Sequence, residues 1–183
     1  MVRLGGICPQ IIITAPFNFI SFMHRATDME QLPFEKNDRQ AIIFIGIQAS
    51  GKTTFYHRML SDGTYTHISL DILHTRKREK RLLMQCLSVG RPFVIDNTNP
   101  AIADRSEYIR QAKAHGYQVI GIFFQSIVRD SITRNAKRTH KVPAQAIADT
   151  SNRLQLPSTL EGFDQLYFVR IEDDRFVISF WNE

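Results

Sequence analysis

Eight consecutive residues constrain this chain more than any others. Gly46-Ile47-Gln48-Ala49-Ser50-Gly51-Lys52-Thr53 fits G-x-x-x-x-G-K-[ST] in full. Directly before it stands Ala41-Ile42-Ile43-Phe44-Ile45, a wholly apolar run of the kind that forms a strand buried on both faces of a parallel sheet. Directly after it a helix is expected from about Lys52 to Leu60. Glycines in such a loop let successive backbone N–H groups point inward at phosphate oxygens. The helix that follows presents its positive end to the same anion. A lysine in this place reaches the β- and γ-phosphates, and a threonine hydroxyl coordinates Mg²⁺. ATP and Mg²⁺ are therefore the expected ligands. Gly46, Gln48, Ala49, Ser50, Gly51, Lys52, Thr53 and Thr54 form the expected nucleotide-binding set, with Thr53 also on the metal. The bland alternative is a glycine turn beside a surface lysine, and the strand–loop–helix context argues against it.

The rest of the chain alternates in the same way. A second strand is expected over Tyr65–Leu70, a long basic helix over about Ile72–Val89 ended by Gly90, and a third strand at Phe93-Val94-Ile95. After Asn97-Thr98-Asn99-Pro100 a helix runs to about His115, with Gly116 beyond it as a cap. Val119–Phe124 reads as a fourth strand, followed by helices at about Ile127–Lys137 and Pro143–Leu154. Late strands at Leu166–Ile171 and Phe176–Phe180 flank the acidic turn Glu172-Asp173-Asp174. Such alternation predicts an α/β domain with a mainly parallel sheet and right-handed crossovers.

Ligands of open α/β sheets gather at the carboxyl ends of strands, and two aspartates fall there, Asp71 and Asp96. A carboxylate so placed accepts a proton from an attacking hydroxyl or holds a metal-bound water. A helix N-cap is the competing role for Asp71 and a structural hydrogen bond for Asp96. Arg134 and Arg138 are four apart and share a helix face, just before a loop at Thr139–Pro143. Arginines there would neutralise charge on a moving phosphoryl group, or simply be a solvated basic face. The run Arg76-Lys77-Arg78-Glu79-Lys80-Arg81 is read as a wet helix face, with steering of an acidic acceptor as the alternative. Trp181, Cys86 and the histidines show no constellation, and Phe123-Phe124 and Tyr167-Phe168 are expected in the core.

Composition adds limits. With 183 residues, 43% hydrophobic and 22% charged, the chain suits one globular domain. A net charge of +5 weakly favours nucleic acid or phosphorylated metabolites as partners. Two cysteines, Cys8 and Cys86, make neither a disulfide framework nor a metal-ligand spacing, which fits a reducing, cytoplasmic compartment. No apolar run approaches the ~18–20 residues that span a bilayer, and no motif for a protein partner is found. Residues 1–38 are expected as a poorly ordered or loosely packed extension with no clear signal peptide, and residues 39–183 as the domain. Met29 offers an alternative start.

Taken together these residues resemble the kinase domain of polynucleotide 5′-hydroxyl kinases. They are similar also to small stand-alone bacterial P-loop proteins described as predicted kinases or AAA-family ATPases. The motifs that carry the resemblance are the Gly46–Thr53 loop, Asp71, Ile95-Asp96-Asn97-Thr98-Asn99-Pro100, Arg134-Asn135-Ala136-Lys137-Arg138, Val142-Pro143 and Glu161-Gly162-Phe163. The resemblance implies a P-loop NTPase three-layer sandwich with a mainly parallel central sheet and a helical lid. It implies Lys52 and Thr53 on ATP–Mg²⁺, Asp71 as general base, Asp96 as active-site or metal support, and Arg134 and Arg138 as lid arginines on the phosphates. Lys52, Asp71 and Arg138 are then the catalytic set, and a hydroxyl, with nucleic acid first in view, is the acceptor. Leu70 and His74 stand where that family often has arginine, which favours a small-molecule acceptor of the zeta-toxin kind as an alternative. A nucleotide-dependent switch without transfer is the reading from another class. No D-x-D-x-T/V phosphatase signature occurs, so a kinase without that partner domain is expected.

Overall fold

The computed structural model describes residues 31–182. Residues 1–30 of the expected extension over residues 1–38, and with them the alternative start at Met29, lie outside the described residues. β1 (Gln40–Ile45) is buried along its whole length, and its side chains divide by parity between two cores. Ala41, Ile43 and Ile45 join Ile68, Phe93, Ile95, Val119 and Phe123 on one face. Ile42 and Phe44 join Val94, Ile120, Ile122 and Phe124 on the other. A strand apolar on both faces needs cover on both, and this requirement makes the three layers.

The first face is covered by α3 (Arg76–Val89), through Leu83, Cys86 and Leu87, and by α4 (Ile102–Ala114), through Tyr108, Ile109 and Ala112. The second is covered by α1 (Lys52–Phe55) and the π-helical turn Tyr56–Leu60 that continues it, through Phe55, Tyr56 and Leu60. Leu32 and Phe34 also pack there, Phe34 against the Tyr167 ring.

The sheet order is β2-β3-β1-β4-β5-β6, with β2 (Thr66–Ile68), β3 (Phe93–Ile95), β4 (Gln118–Phe124), β5 (Gln165–Glu172) and β6 (Arg175–Phe180). The first five in that order run parallel, and β6 returns antiparallel along β5. The acidic turn explains the return. Asp173 and Asp174 both take positive φ, 47 and 60°, the backbone a two-residue hairpin needs. From β1 the chain first builds outward to β2 and fills in β3, then crosses to β4 on the other side. The carboxyl end of β1 is thus the switch point where a crevice opens.

Two expectations about helices are corrected. The stretch from Ile72 to Val89 is two helices, α2 (Leu70–Leu73) and α3, because His74 turns left-handed at φ 63° and Thr75 starts afresh by accepting the Arg78 N–H. Ser69, not Asp71, occupies the N-cap of α2, so the cap role weighed for Asp71 is not the one it takes. β2 accordingly stops at Ile68. α5 (Val128–Ala136) and α6 (Ala144–Asn152) pack on each other as the helical lid. No helix among the described residues is long and apolar enough to cross a membrane.

Candidate active site

The loop after β1 is shaped by two glycines that no other residue replaces comfortably. Gly46 sits at φ 147°, and a Cβ there would stand 3.1 Å from the Phe124 carbonyl oxygen; Gly51 sits at φ 103°, and a Cβ there would stand 2.8 Å from Ile171 Cδ1. Ala49 between them is left-handed at φ 57°. The Gly46 N–H donates to the Thr98 carbonyl at 3.0 Å and the Ile47 N–H to Ser126 Oγ at 3.1 Å. Gly51 is the residue from which α1 starts, so the positive end of the helical segment and the loop amides face one space.

Lys52 is the charged centre of this loop. Its ammonium donates to the carbonyls of Gly46 (3.0 Å) and Ile47 (2.6 Å) and to Ser50 Oγ (3.3 Å). Only 8% of the residue is exposed. Burial brings its pKa down from 10.5 to about 8; Asp96 pulls the other way, Arg138 adds to the lowering, and Asp71 again opposes it. Asp96, Arg138 and Asp71 therefore all stand within electrostatic reach of one ammonium group.

The loop from Asp96 to Pro100 ties the site together, each residue to a different element. Asp96 Oδ2 accepts from Thr53 Oγ1 at 2.8 Å. Asn97 Oδ1 accepts the Leu70 N–H at 3.0 Å and so holds the start of α2. Thr98 takes the Gly46 amide, and Asn99, left-handed at φ 44°, donates to the Phe44 carbonyl at 2.7 Å. Pro100 accepts from Gln155 N–H and, with Asn99, from buried Arg105.

Asp71 rides on α2, exposed, and its carboxylate has no hydrogen-bond partner among the described residues. Its helix is fixed from behind. Asn97 Nδ2 donates to Glu79 Oε1, which also accepts from Tyr108 Oη at 2.8 Å, while Arg76 donates to Glu79 Oε2 at 2.8 Å. Glu79 is thus a buried carboxylate with three partners, and burial beside it raises the Tyr108 phenol well above its usual pKa. The basic run on α3 splits accordingly: Arg76 belongs to this network, and Lys77, Arg78, Lys80 and Arg81 make the expected exposed face.

Of the lid arginines, Arg134 Nε donates to the Ala49 carbonyl at 2.8 Å. Arg138 is exposed, and its guanidinium makes no hydrogen bond among the described residues. The loop between them and α6 is closed by Asn135, whose side-chain amide bonds both the N–H and the C=O of Val142. Gln48 Nε2 donates to Thr150 Oγ1 at 2.9 Å, joining loop to lid, and Gln48 Oε1 is buried without a partner. Thr54 lies one residue past Thr53, exposed and without a polar contact of its own. Thr53, Asp96 and Arg134 are tied to one another or to the loop after β1 by hydrogen bonds, and Asp71 and Arg138 stand within electrostatic reach of Lys52.

Three features of the site had escaped sequence reasoning. His67 Nε2 lies 3.0 Å from Asp96 Oδ2, which overturns the view that no histidine joins a constellation. The Glu79–Tyr108–Asn97 network and the Arg105–Glu161 pair were also missed. Glu161 carried a signal only through the Glu161-Gly162-Phe163 match, and Arg105 looked like any helical arginine.

Thr53 Oγ1 and the Asp96 carboxylate offer hard oxygen donors side by side. That fits a magnesium ion whose remaining positions are filled by phosphate oxygens and water. Among the described residues no group of three or more His, Cys, Asp or Glu is placed to hold a metal by itself.

Comparison with known proteins matches the model of a family described as an AAA domain to residues 42–157. The chain is 27% identical over 182 residues to a bifunctional polynucleotide phosphatase/kinase from Schizosaccharomyces pombe, covering 92% of this chain and 45% of that protein. It is 28% identical over 189 residues to a putative bifunctional polynucleotide phosphatase/kinase from Acanthamoeba polyphaga mimivirus, covering 97% and 42%. The chain therefore spans less than half the length of these relatives. Among solved structures, Chaetomium thermophilum Kti12 in complex with ADP-AlF3 superposes with a TM-score of 0.56 at 17% identity, over 73% of this chain and 90% of that one. At that identity the likeness is one of fold.

Proposed function

The chain belongs to the AAA domain family, and from that premise we propose that it is an ATP-dependent kinase. It moves the γ-phosphoryl group to a hydroxyl, with the 5′-hydroxyl of a polynucleotide as first acceptor. One observation carries the reading: the buried Lys52 ammonium sits within the field of Asp71, Asp96 and Arg138. Asp71 supports the reading as an exposed carboxylate on α2 with no hydrogen-bond partner among the described residues, within electrostatic reach of Lys52. The names of the two relatives support the choice of acceptor.

In this mechanism the amides of residues 48–53, which no group among the described residues occupies, and Lys52 would hold the triphosphate, and Thr53 and Asp96 would hold Mg²⁺. When bound there, Mg²⁺ would supply charge neutralisation on the triphosphate. The acceptor oxygen attacks the γ-phosphorus as the bond to the β-bridging oxygen breaks, ADP departs, and the acceptor proton passes to Asp71. Arg138, unengaged by other side chains, and Arg134, steadied on Ala49, offset charge on the moving group.

Radiolabelled ATP offered with 5′-hydroxyl oligonucleotides should label them, and Asp71→Asn should abolish the label while leaving ATP affinity within about two-fold. Full-rate transfer by Asp71→Asn would remove Asp71 as base. A metabolite hydroxyl is the second reading. It is favoured by Leu70 and His74, which flank Asp71 without a permanent positive charge to grip a phosphorylated strand. Label on a sugar or nucleotide acceptor, with none on oligonucleotides, would select it.

A further inference from the structure

We infer that His67 is the positioning residue of Asp96, holding that carboxylate in place for the metal–nucleotide complex. The inference rests on the kinase reading of the site and adds a residue to it.

Asp96 Oδ2 receives two contacts, Thr53 Oγ1 at 2.8 Å and His67 Nε2 at 3.0 Å. Its side chain is 2% exposed and that of His67 11%. An ionised carboxylate only accepts, so the hydrogen between them belongs to Nε2. Asp96 Oδ1 has no hydrogen-bond partner among the described residues.

The imidazole is itself held. Tyr56 lies flat against it, ring centroids 3.8 Å apart and planes 13° apart, and His57 meets it edge-on at 6.0 Å. Tyr56 is anchored by its hydroxyl on the Tyr65 carbonyl at 3.3 Å. It is also the first residue of the π turn Tyr56–Leu60. Wide turns of this kind inside a helix tend to occur at functional sites, and this one begins at the residue that stacks on His67.

The consequence concerns Thr53. When its hydroxyl oxygen is turned to a metal, the Thr53–Asp96 bond alone must orient the carboxylate unless a second donor shares the work. His67 is that donor. Partners of this type around metal ligands typically change affinity 10–100-fold when removed.

The test is Mn²⁺ binding, read by electron paramagnetic resonance on the full chain with saturating ATP and no acceptor. His67→Phe keeps a flat ring on Tyr56 and removes the donor. It should weaken nucleotide-dependent Mn²⁺ binding about ten-fold, while metal-free ATP affinity and Tm stay near wild type. His67→Gln, which keeps an N–H donor, should recover part of the loss. Tyr56→Leu should shift Mn²⁺ binding in the same direction by less, and it serves if His67→Phe does not fold. Unchanged Mn²⁺ affinity in His67→Phe would overturn the inference. So would an equal loss of metal-free ATP binding, which marks a distorted loop. If wild-type protein shows no nucleotide-dependent Mn²⁺ site, the underlying reading fails; a wild-type site indifferent to His67 sinks this inference alone.

Discussion

Arg105 and Glu161 meet through two parallel hydrogen bonds, Nε to Oε2 and Nη2 to Oε1, each 2.7 Å long, with the arginine side chain fully buried and the glutamate 4% exposed. The third arginine nitrogen, Nη1, reaches the carbonyls of Asn99, Pro100 and Gln155. One guanidinium thus joins the loop behind the active site to the 3₁₀ turn Thr159–Glu161. Removing one partner of a buried, hydrogen-bonded pair strands the other charge and costs about 3–5 kcal/mol. Glu161→Gln should show such a loss in urea unfolding. The double variant Arg105→Met/Glu161→Leu should lose less than the sum of its singles.

Lys52 gives the chain a pH signature. Its pKa falls from 10.5 to about 8 on folding. Between those values the unfolded chain holds a proton that the folded chain has released. By linkage, stability contributed by this group rises with pH across that window, and below pH 8 the buried charge costs about 3 kcal/mol. In the proposed reading triphosphate oxygens return the proton. ATP binding at pH 8.5 should therefore take up a fraction of a proton, measured as a dependence of calorimetric enthalpy on the buffer's ionisation heat. Lys52→Met should abolish that dependence.

The two lid arginines should separate in kinetics. Arg134 is tied to the Ala49 carbonyl, so Arg134→Ala should raise the KM for ATP as well as lower kcat. Arg138 has no such tie, and Arg138→Ala should leave Tm and ATP affinity near wild type while lowering kcat by about 10²-fold or more. Equal effects on KM and kcat in both variants would contradict the division.

Gly51→Ala tests the loop's backbone. The substitution meets both a left-handed φ of 103° and a Cβ contact of 2.8 Å with Ile171 Cδ1. A loss of about 1–3 kcal/mol is expected, together with weaker ATP binding. Ile171→Val alongside it should relieve the contact but not the φ strain, and so recover only part of the stability.

Much of this architecture was legible in the sequence because it depends on local signals. The apolar run of β1, the glycine pattern after it and the acidic turn at Glu172-Asp173-Asp174 each act within a few residues. The end of β3 at Ile95 sets the place of Asp96 in the same local way, whereas Asp71 lies within α2, beyond the end of β2 at Ile68. What escaped depends on approach across the sheet. Nothing near His67 announces that Asp96, 29 positions on, will meet its ring, and Arg105 and Glu161 are separated by 56 positions. The break at His74-Thr75 was hidden by the strong helical character of the charged run that follows it. The substitution of a π turn for the last part of the first helix left no mark in residue type.

The five-residue span from Asp96 to Pro100 has a consequence for how the site fails. Its members grip five separate parts of the molecule, so a fluctuation that lifts this span releases the Thr53 hydroxyl, the Gly46 amide and the Leu70 amide at once. The loop after β1 and the start of α2 then share one opening event instead of fraying one at a time. Amide protons at Gly46 and Leu70, 24 positions apart in the chain, should exchange with solvent as a single cooperative unit. In the proposed reading, a half-assembled site, able to hold a triphosphate but not to present a base, is a state this arrangement does not favour.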